Sequence, residues 1–161
     1  MNLPEEIGDL VSLANLNLCE SRIASPPPSI GRLKNLEELD LSRAGKMPNL
    51  PEKIGDLIGF TNLDPVRSNI LWLPPSIGRL KNLQLLDLSG TNKLLYLLEE
   101  IGDLISLNEL QLSCSDISSL PCSRRQLKNL QVLGLSYTKF VTLLEVVGDF
   151  ISLKNLDLRF S

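Results

Sequence analysis

The sequence repeats itself every 23 or 24 residues, and that period constrains the fold more than any other feature. Ile-Gly-Asp-Leu occurs at 7–10, 54–57 and 101–104, with Val-Gly-Asp-Phe at 147–150. Between these lie Ile-Gly-Arg-Leu-Lys-Asn-Leu at 30–36 and 77–83, and a degraded copy, Arg-Arg-Gln-Leu-Lys-Asn-Leu, at 124–130. Equivalent positions are therefore 7, 30, 54, 77, 101, 124 and 147, and pairs of units form a second period near 47. Fixed spacing of this kind marks an array of small units that bury their apolar faces on one another.

Each unit continues as Leu-x-x-Leu-x-Leu. The copies are Leu13/Leu16/Leu18, Leu36/Leu39/Leu41, Phe60/Leu63/Pro65, Leu83/Leu86/Leu88, Leu107/Leu110/Leu112, Leu130/Leu133/Leu135 and Leu153/Leu156/Leu158. Alternation at period two sends both leucines of Leu-x-Leu to one face, which predicts a short strand. So short a strand is stable only when stacked in parallel on its copies. The remaining residues of each unit must carry the chain back along the opposite side. Pro4, Pro27, Pro51, Pro74 and Pro121 fix φ where that return begins. Apolar residues then recur at three-residue steps, as in Ile77, Leu80 and Leu83, which predicts a 3-10 turn or short helix with one inward face.

Composition narrows the chemistry. Leucine supplies 37 of 161 residues and there is no histidine. That removes Ser-His-Asp and Cys-His catalysis and histidine metal sites, and no cofactor or metal is expected. A net charge of −3 with scattered signs lacks the basic footprint of nucleic-acid binding. The longest apolar run, Leu94 to Leu98, is far short of the roughly 20 residues of a membrane span. The acidic start, with Glu5, Glu6 and Asp9, is no signal peptide. Cys19, Cys114 and Cys122 are odd in number and match no metal spacing, so they are read as reduced thiols. No Gly-x-x-x-x-Gly-Lys loop is present to cradle a phosphate.

These motif copies resemble the leucine-rich repeat, over essentially the whole chain. The resemblance implies one α/β domain over 1–161: a right-handed solenoid of about seven repeats, with a parallel concave sheet and short convex helices or 3-10 turns. The Leu-Pro-x-x-Ile-Gly-x-Leu-x-x-Leu pattern (Leu3 to Leu13, Leu50 to Phe60) and the stretch Leu86-Asp87-Leu88-Ser89-Gly90-Thr91 resemble the repeat region of plant NB-LRR disease-resistance proteins. The Gly-x-Ile-Pro step of plant cell-surface receptors appears in no unit. This likeness implies a non-catalytic, cytoplasmic recognition module, with a pathogen effector, a host protein or the receptor's own nucleotide-binding domain as partner. A Ras-group-like signalling scaffold and the targeting arm of a larger enzyme are the alternatives.

Several positions depart from the pattern. Ser21, Ala44, Ser68, Thr91, Ser115, Thr138 and Ser161 stand where many such repeats carry Asn. A hydroxyl donates one hydrogen bond where an amide donates two, so looser inner turns are expected. Pro65 cannot donate to a ladder. Arg124 replaces an inward Ile, which predicts either a buried stem with a snorkelling head or a displaced segment. Leu98 and Leu144 replace the leading Pro. Neither terminus carries an amphipathic cap, so a fragment, or end-to-end association, is expected.

The predicted protein-binding surface is the concave face: Asp40, Arg43, Asp64, Arg67, Leu85, Asp87, Val132, Tyr137 and Asp157. Asp40, Asp64 and Asp87 fall between strand leucines of successive units and would form an acidic row suited to a basic partner. Leu85, Val132 and Tyr137, with Cys114 and Phe160, read as a grouped apolar contact surface. Arg43 and Arg67 read as strand-exit residues that pair with Glu20 or the acidic row. On the back, Asp9, Arg32, Asp56, Arg79, Asp103, Gln126 and Asp149 alternate in sign, as register aids between coils. Lys34, Lys81 and Lys128 read as a solvated face.

Overall fold

In a computed structural model describing residues 2–140 and 147–161, each repeat forms a three-residue strand centred on the first leucine of its Leu-x-Leu core. The strands are β1 (Asn15–Asn17), β2 (Glu38–Asp40), β3 (Asn62–Asp64), β4 (Leu85–Asp87), β5 (Glu109–Gln111), β6 (Val132–Gly134) and β7 (Asn155–Asp157). They form one parallel sheet in sequence order. The register aligns equivalent residues, so Leu16, Leu39, Leu63, Leu86, Leu110, Leu133 and Leu156 make a single column. From Leu39 to Leu133 that column is at most 1% exposed. Removing one such leucine side chain costs about 2–5 kcal/mol. We number the coils one to seven by their strands.

The return path is built as the three-residue steps require. Each of six 3-10 turns among the described residues follows an extended residue: Glu5–Asp9, Pro28–Arg32, Glu52–Asp56, Pro75–Arg79, Glu99–Asp103 and Cys122–Gln126. Five of those extended residues are proline, with φ between −63° and −70°. Leu98 takes the same conformation without the ring (φ −75°, ψ 160°), while Leu144 lies outside the described residues. In coil four the Leu80 N–H donates to Ile77 O and the Leu83 N–H to Leu80 O, which continues the inward stripe into the strand. All three side chains are buried.

Glycine follows the inward Ile for reasons of space between coils. A Cβ on Gly55 would overlap the Ser76 carbonyl oxygen of coil four and sit 2.7 Å from the Ser76 Cβ. On Gly31 it would meet the Lys53 carbonyl oxygen at 2.7 Å. The absence of a side chain here lets one 3-10 turn nest on the next.

The seventh position after each Leu-x-x-Leu start turns the chain out of the strand with positive φ. Glu20, Arg43, Arg67, Cys114, Tyr137 and Phe160 lie at φ 52–57°, and Gly90 at 70°. A left-handed conformation costs an L-residue roughly 1–2 kcal/mol. In coils one to six it is held because each N–H in that row reaches the next coil, as in Arg43 N to Val66 O and Arg67 N to Ser89 O, both 2.8 Å.

The inner turns are closed despite lacking Asn. The Ser115 N–H donates to Leu112 O, and the Thr91 and Thr138 hydroxyls each donate at 2.6 Å to the carbonyl that their own N–H also reaches. The Ser21, Ser68 and Ser115 hydroxyls are buried without a protein partner. The turn is therefore fixed by its backbone, and Ala44 serves at the same place.

Pro65 removes one rung. Leu41 N donates to Asp64 O, and Leu88 N to Gln111 O, both at 2.8 Å, but Pro65 has no N–H for Asp87 O. The β3–β4 register accordingly ends at Leu63↔Leu86. Pro65→Leu should restore both the bond and the inward leucine seen at Leu41 and Leu88. An intramolecular hydrogen bond nets about 0.5–1.5 kcal/mol. Thermal unfolding followed by circular dichroism should show a midpoint a few degrees higher; an unchanged or lower midpoint contradicts the missing rung.

Candidate functional site

The side chains flanking the buried leucine column point into the concave face, and there the charge is strongly segregated. The strands present Glu38, Asp40, Asp64, Asp87, Glu109 and Asp157, and no strand residue is Lys or Arg. Asp40 pairs with Asp64 in the sheet register. Neighbouring strands lie about 4.8 Å apart, so the carboxylates of coils two to four stand close together. A shallow depression between Asn15, Asn17, Glu38, Asp40, Asp64 and Leu85 runs across this row.

Each acid of the row also shapes its own strand exit. The Ser42 N–H donates to Asp40 Oδ1 (2.8 Å), the Val66 N–H to Asp64 Oδ1 (3.2 Å) and the Ser89 N–H to Asp87 Oδ1 (2.8 Å). Asn17 does the same for the Cys19 N–H, so an amide suffices for this role. Asp40 Oδ2 further accepts from Asn17 Nδ2, and Asp64 Oδ1 from the Ser42 hydroxyl.

Asp64, in the middle of the row, is half-buried. Burial first, and then the charges of Asp87 and Asp40, raise its pKa above the usual aspartate value. A carboxyl whose folded pKa exceeds its unfolded one favours the folded state when protonated, and that contribution is lost as pH rises between the two values. Asp64→Asn keeps the acceptor for Val66 N–H and removes the charge. Its melting midpoint should exceed that of the native chain at pH 7, and the difference should shrink towards zero near pH 3. A gain independent of pH would assign the effect to something other than this charge.

Asp157 belongs to the row by position but not by charge. Arg159 grips it through Nε at 3.0 Å and Nη2 at 2.6 Å, which holds the carboxyl well below the ordinary range. The free carboxylates are thus concentrated in coils two to five. Glu38 and Glu109 join them, although the pattern of residues between the strand leucines does not point to either. They precede the central leucine rather than follow it.

The predicted apolar cluster assembles only in part. Leu85 pairs with Glu109, and Glu109 with Val132, so a carboxylate separates the two half-buried aliphatics. Tyr137 lies on the left-handed exit row, three residues beyond β6, and stacks on Phe160 with ring centroids 4.7 Å apart. Cys114 occupies the equivalent place one coil earlier. Arg43 pairs with Glu20 at 2.7 Å, both exposed, so solvent screens that bridge and it adds little to stability. Arg67 sits beside Gly90, where a Cβ would meet the Arg67 Cγ at 2.7 Å.

The convex side holds coils together. Asp9 meets Arg32 at 3.5 Å and Asp56 meets Arg79 at 3.6 Å, in keeping with the alternation of signs. Lys34 and Lys81 do more than solvate a face. Their ammonium groups donate to Asp56 O and Asp103 O of the following coil. The adjacent Asn35, Asn82 and Asn129 donate back to Val11 O, Ile58 O and Ile105 O of the preceding one. Lys-Asn is therefore a two-way staple in coils two and four, and coil six keeps its Asn half, which gives the period near 47 a physical meaning. The Glu99 carboxylate caps the next 3-10 turn by accepting the Ser123 and Cys122 N–H groups, which lower its pKa.

The arrangement offers shape and charge but no reactive centre. Among the described residues no three Cys, Asp or Glu side chains could hold a metal ion, and the three cysteines are free and exposed. No helix among them is long and apolar enough to cross a membrane.

A parallel sheet lining the inside of coils 23–24 residues long, backed by 3-10 turns, is the leucine-rich-repeat solenoid. No protein-family profile and no curated protein sequence matches the chain. Solved leucine-rich-repeat structures do. The ectodomain of the Arabidopsis thaliana membrane receptor kinase GASSHO1/SCHENGEN3, solved with CASPARIAN STRIP INTEGRITY FACTOR 2, aligns with a TM-score of 0.77 at 27% identity, over 98% of this chain and 19% of that one. The plant peptide hormone receptor RGFR1, solved with RGF2, aligns at 0.63 and 30%, over 94% of this chain and 29% of that one. The Listeria monocytogenes internalin InlF shares the fold at 0.65 and 18% identity, over 99% of this chain and 52% of that one. The chain thus spans only a part of each.

Proposed function

We propose that this chain is a non-catalytic protein-recognition module whose concave face takes an extended, basic segment of a partner. The observation that carries the reading is the concentration of unpaired carboxylates on β2 to β5 against a chain that is only three charges negative overall. A rigid grid of strands presents them at fixed spacing, so charge complementarity selects and steers the partner. Asp40, Asp64 and Asp87 contact it first, with Leu85 beside them; Val132 extends the same face. Arg43, Arg67 and Tyr137 line its exit edge, and Asp157, already neutralised by Arg159, sits at its far end.

Titration calorimetry with an extended lysine-containing peptide tests this. The native chain should bind it with an affinity that falls as salt rises, and Asp64→Lys/Asp87→Lys should weaken binding at least tenfold. Equal affinities for both proteins would reject the acidic row.

The module fits the repeat region of a cytoplasmic plant immune receptor. Support comes from the Leu-Pro-x-x-Ile-Gly pattern and from the hydroxyl residues at the inner turn. Likeness to two plant receptor ectodomains favours a second reading, part of a ligand-sensing ectodomain. The two are separated by the flanking reading frame, a nucleotide-binding domain in one case and a membrane span with a kinase domain in the other.

A further inference from the structure

A second surface lies on the flank between the inner turns and the 3-10 turns, away from the concave face. In coils three and four this flank carries Leu71-Trp72 and Leu95-Tyr96, all four exposed, at 40%, 43%, 58% and 58%. Among the described residues the complete equivalent pairs of the other coils are Ala24-Ser25, Pro48-Asn49 and Ser118-Ser119, all small or polar save the proline. The feature is therefore a local patch and not a consequence of the repeat. Trp72 is fixed in place by a parallel bridge to Asn49, and the Leu71 N–H donates to Pro48 O at 2.7 Å. Four large side chains at these exposures present roughly 400 Å² of largely apolar surface, the size at which a patch on a monomer is often functional. Trp and Tyr are also the residues that most often anchor interfaces.

On the inner-turn side of the patch, coils two to four carry Lys46 and Lys93 and no acid, while Glu99 and Glu100 lie on its other side in the next 3-10 turn. Lys93 precedes Leu95 by two residues, and Lys46 precedes Pro48 by two on the adjoining coil. Both are exposed, and neither forms an ion pair with a described residue. Asp116, at the position of Lys93 one coil on, is already paired with Lys139 at 3.1 Å.

We propose that this flank is a second docking site, for an acidic segment of another protein that sets apolar side chains on Trp72 and Tyr96 and carboxylates on Lys46 and Lys93. Its preference is opposite to that of the concave face, so the chain can hold a basic and an acidic partner at once.

The single tryptophan makes the site its own reporter. The 161-residue chain should be titrated with a synthetic peptide alternating Leu with Asp and Glu, and with its lysine counterpart. The acidic peptide should shift Trp72 emission to the blue, with affinity falling as salt rises; the lysine peptide should not. Lys46→Glu/Lys93→Glu should weaken the acidic peptide at least tenfold, and Leu95→Asp should do the same. Asp64→Lys/Asp87→Lys should leave this binding intact, which separates the two sites. No shift up to millimolar peptide, or an equal shift with both peptides, overturns the proposal. So does a blue shift produced by raising the concentration of the chain alone, which would make the occupant a second copy. A shift with phosphatidylcholine vesicles and not with the acidic peptide would make it a lipid surface.

Discussion

Gly55→Ala should be among the most damaging single-methyl changes in this chain. The added Cβ overlaps the Ser76 carbonyl oxygen and comes to 2.7 Å from the Ser76 Cβ and 3.0 Å from its carbonyl carbon. Two of those atoms are backbone, so no rotamer change relieves the clash. Coils three and four must separate, and the buried column of Leu63 and Leu86 opens with them. Overpacking of a core costs about 1–3 kcal/mol and occasionally more; we expect the upper end, about 3 kcal/mol, since the contact is with backbone. For a chain of this size that is a loss of about 6–12 °C in the midpoint. Gly148→Ala supplies the control, because a Cβ there meets nothing within 4 Å. It should be neutral or gain up to about 1 kcal/mol through the reduced freedom of the unfolded chain. Equal midpoints for the two variants would show that the glycines serve something other than coil-to-coil contact.

That contrast shows where the sequence is readable. The strands, the leucine column and the 3-10 turns follow from apolar residues within one unit, at steps of two and three, and they form where the pattern puts them. What escapes the pattern depends on a partner one coil away. Gly8, Gly55 and Gly102 look like ordinary turn glycines until the following Ser29, Ser76 and Ser123 are laid against them. The exit row carries Glu, Arg, Cys, Tyr and Phe with positive φ, residues that give no local sign of a left-handed turn. In coils one to six the inter-coil bonds, such as Cys114 N to Ser136 O, account for it. The acidic row was legible for Asp40, Asp64 and Asp87, because one position in every unit generates it. Asp157 has the same position and a different fate, decided by an arginine two residues on. The Trp72 flank has no periodic signal at all, since it is a departure from the repeat and not an instance of it.

Arg124 is the other departure with a large energetic consequence. It stands where coils two to five bury Ile30, Ile54, Ile77 and Ile101 and coil one partly buries Ile7, and the structure resolves its choice by burying stem and head together. Its side chain is only 13% exposed, its Nη2 lies 2.9 Å from Asp149 Oδ2 in coil seven, and its Nη1 donates to Pro121 O at 3.2 Å. Arg125, replacing the usual glycine, reaches Asp149 Oδ1 at 3.0 Å. Asp149 thus joins coil seven to coil six. Breaking a fully buried pair costs about 3–5 kcal/mol, because the surviving charge is stranded. With side chains 13% and 18% exposed, Asp149→Ala should cost about 2–3 kcal/mol. Arg124→Ile is not its mirror image. It refills the position with the residue the other coils use, and Asp149 keeps Arg125 as a partner. Replacing a buried charge by an apolar side chain of similar size is often neutral or stabilising by about 1 kcal/mol or more. Urea unfolding of the two variants and their double mutant should therefore show a large loss, no loss or a gain, and little further loss from Asp149→Ala once Arg124 is gone. Equal losses in both single variants would show that the ion pair is worth more than the isoleucine it displaced.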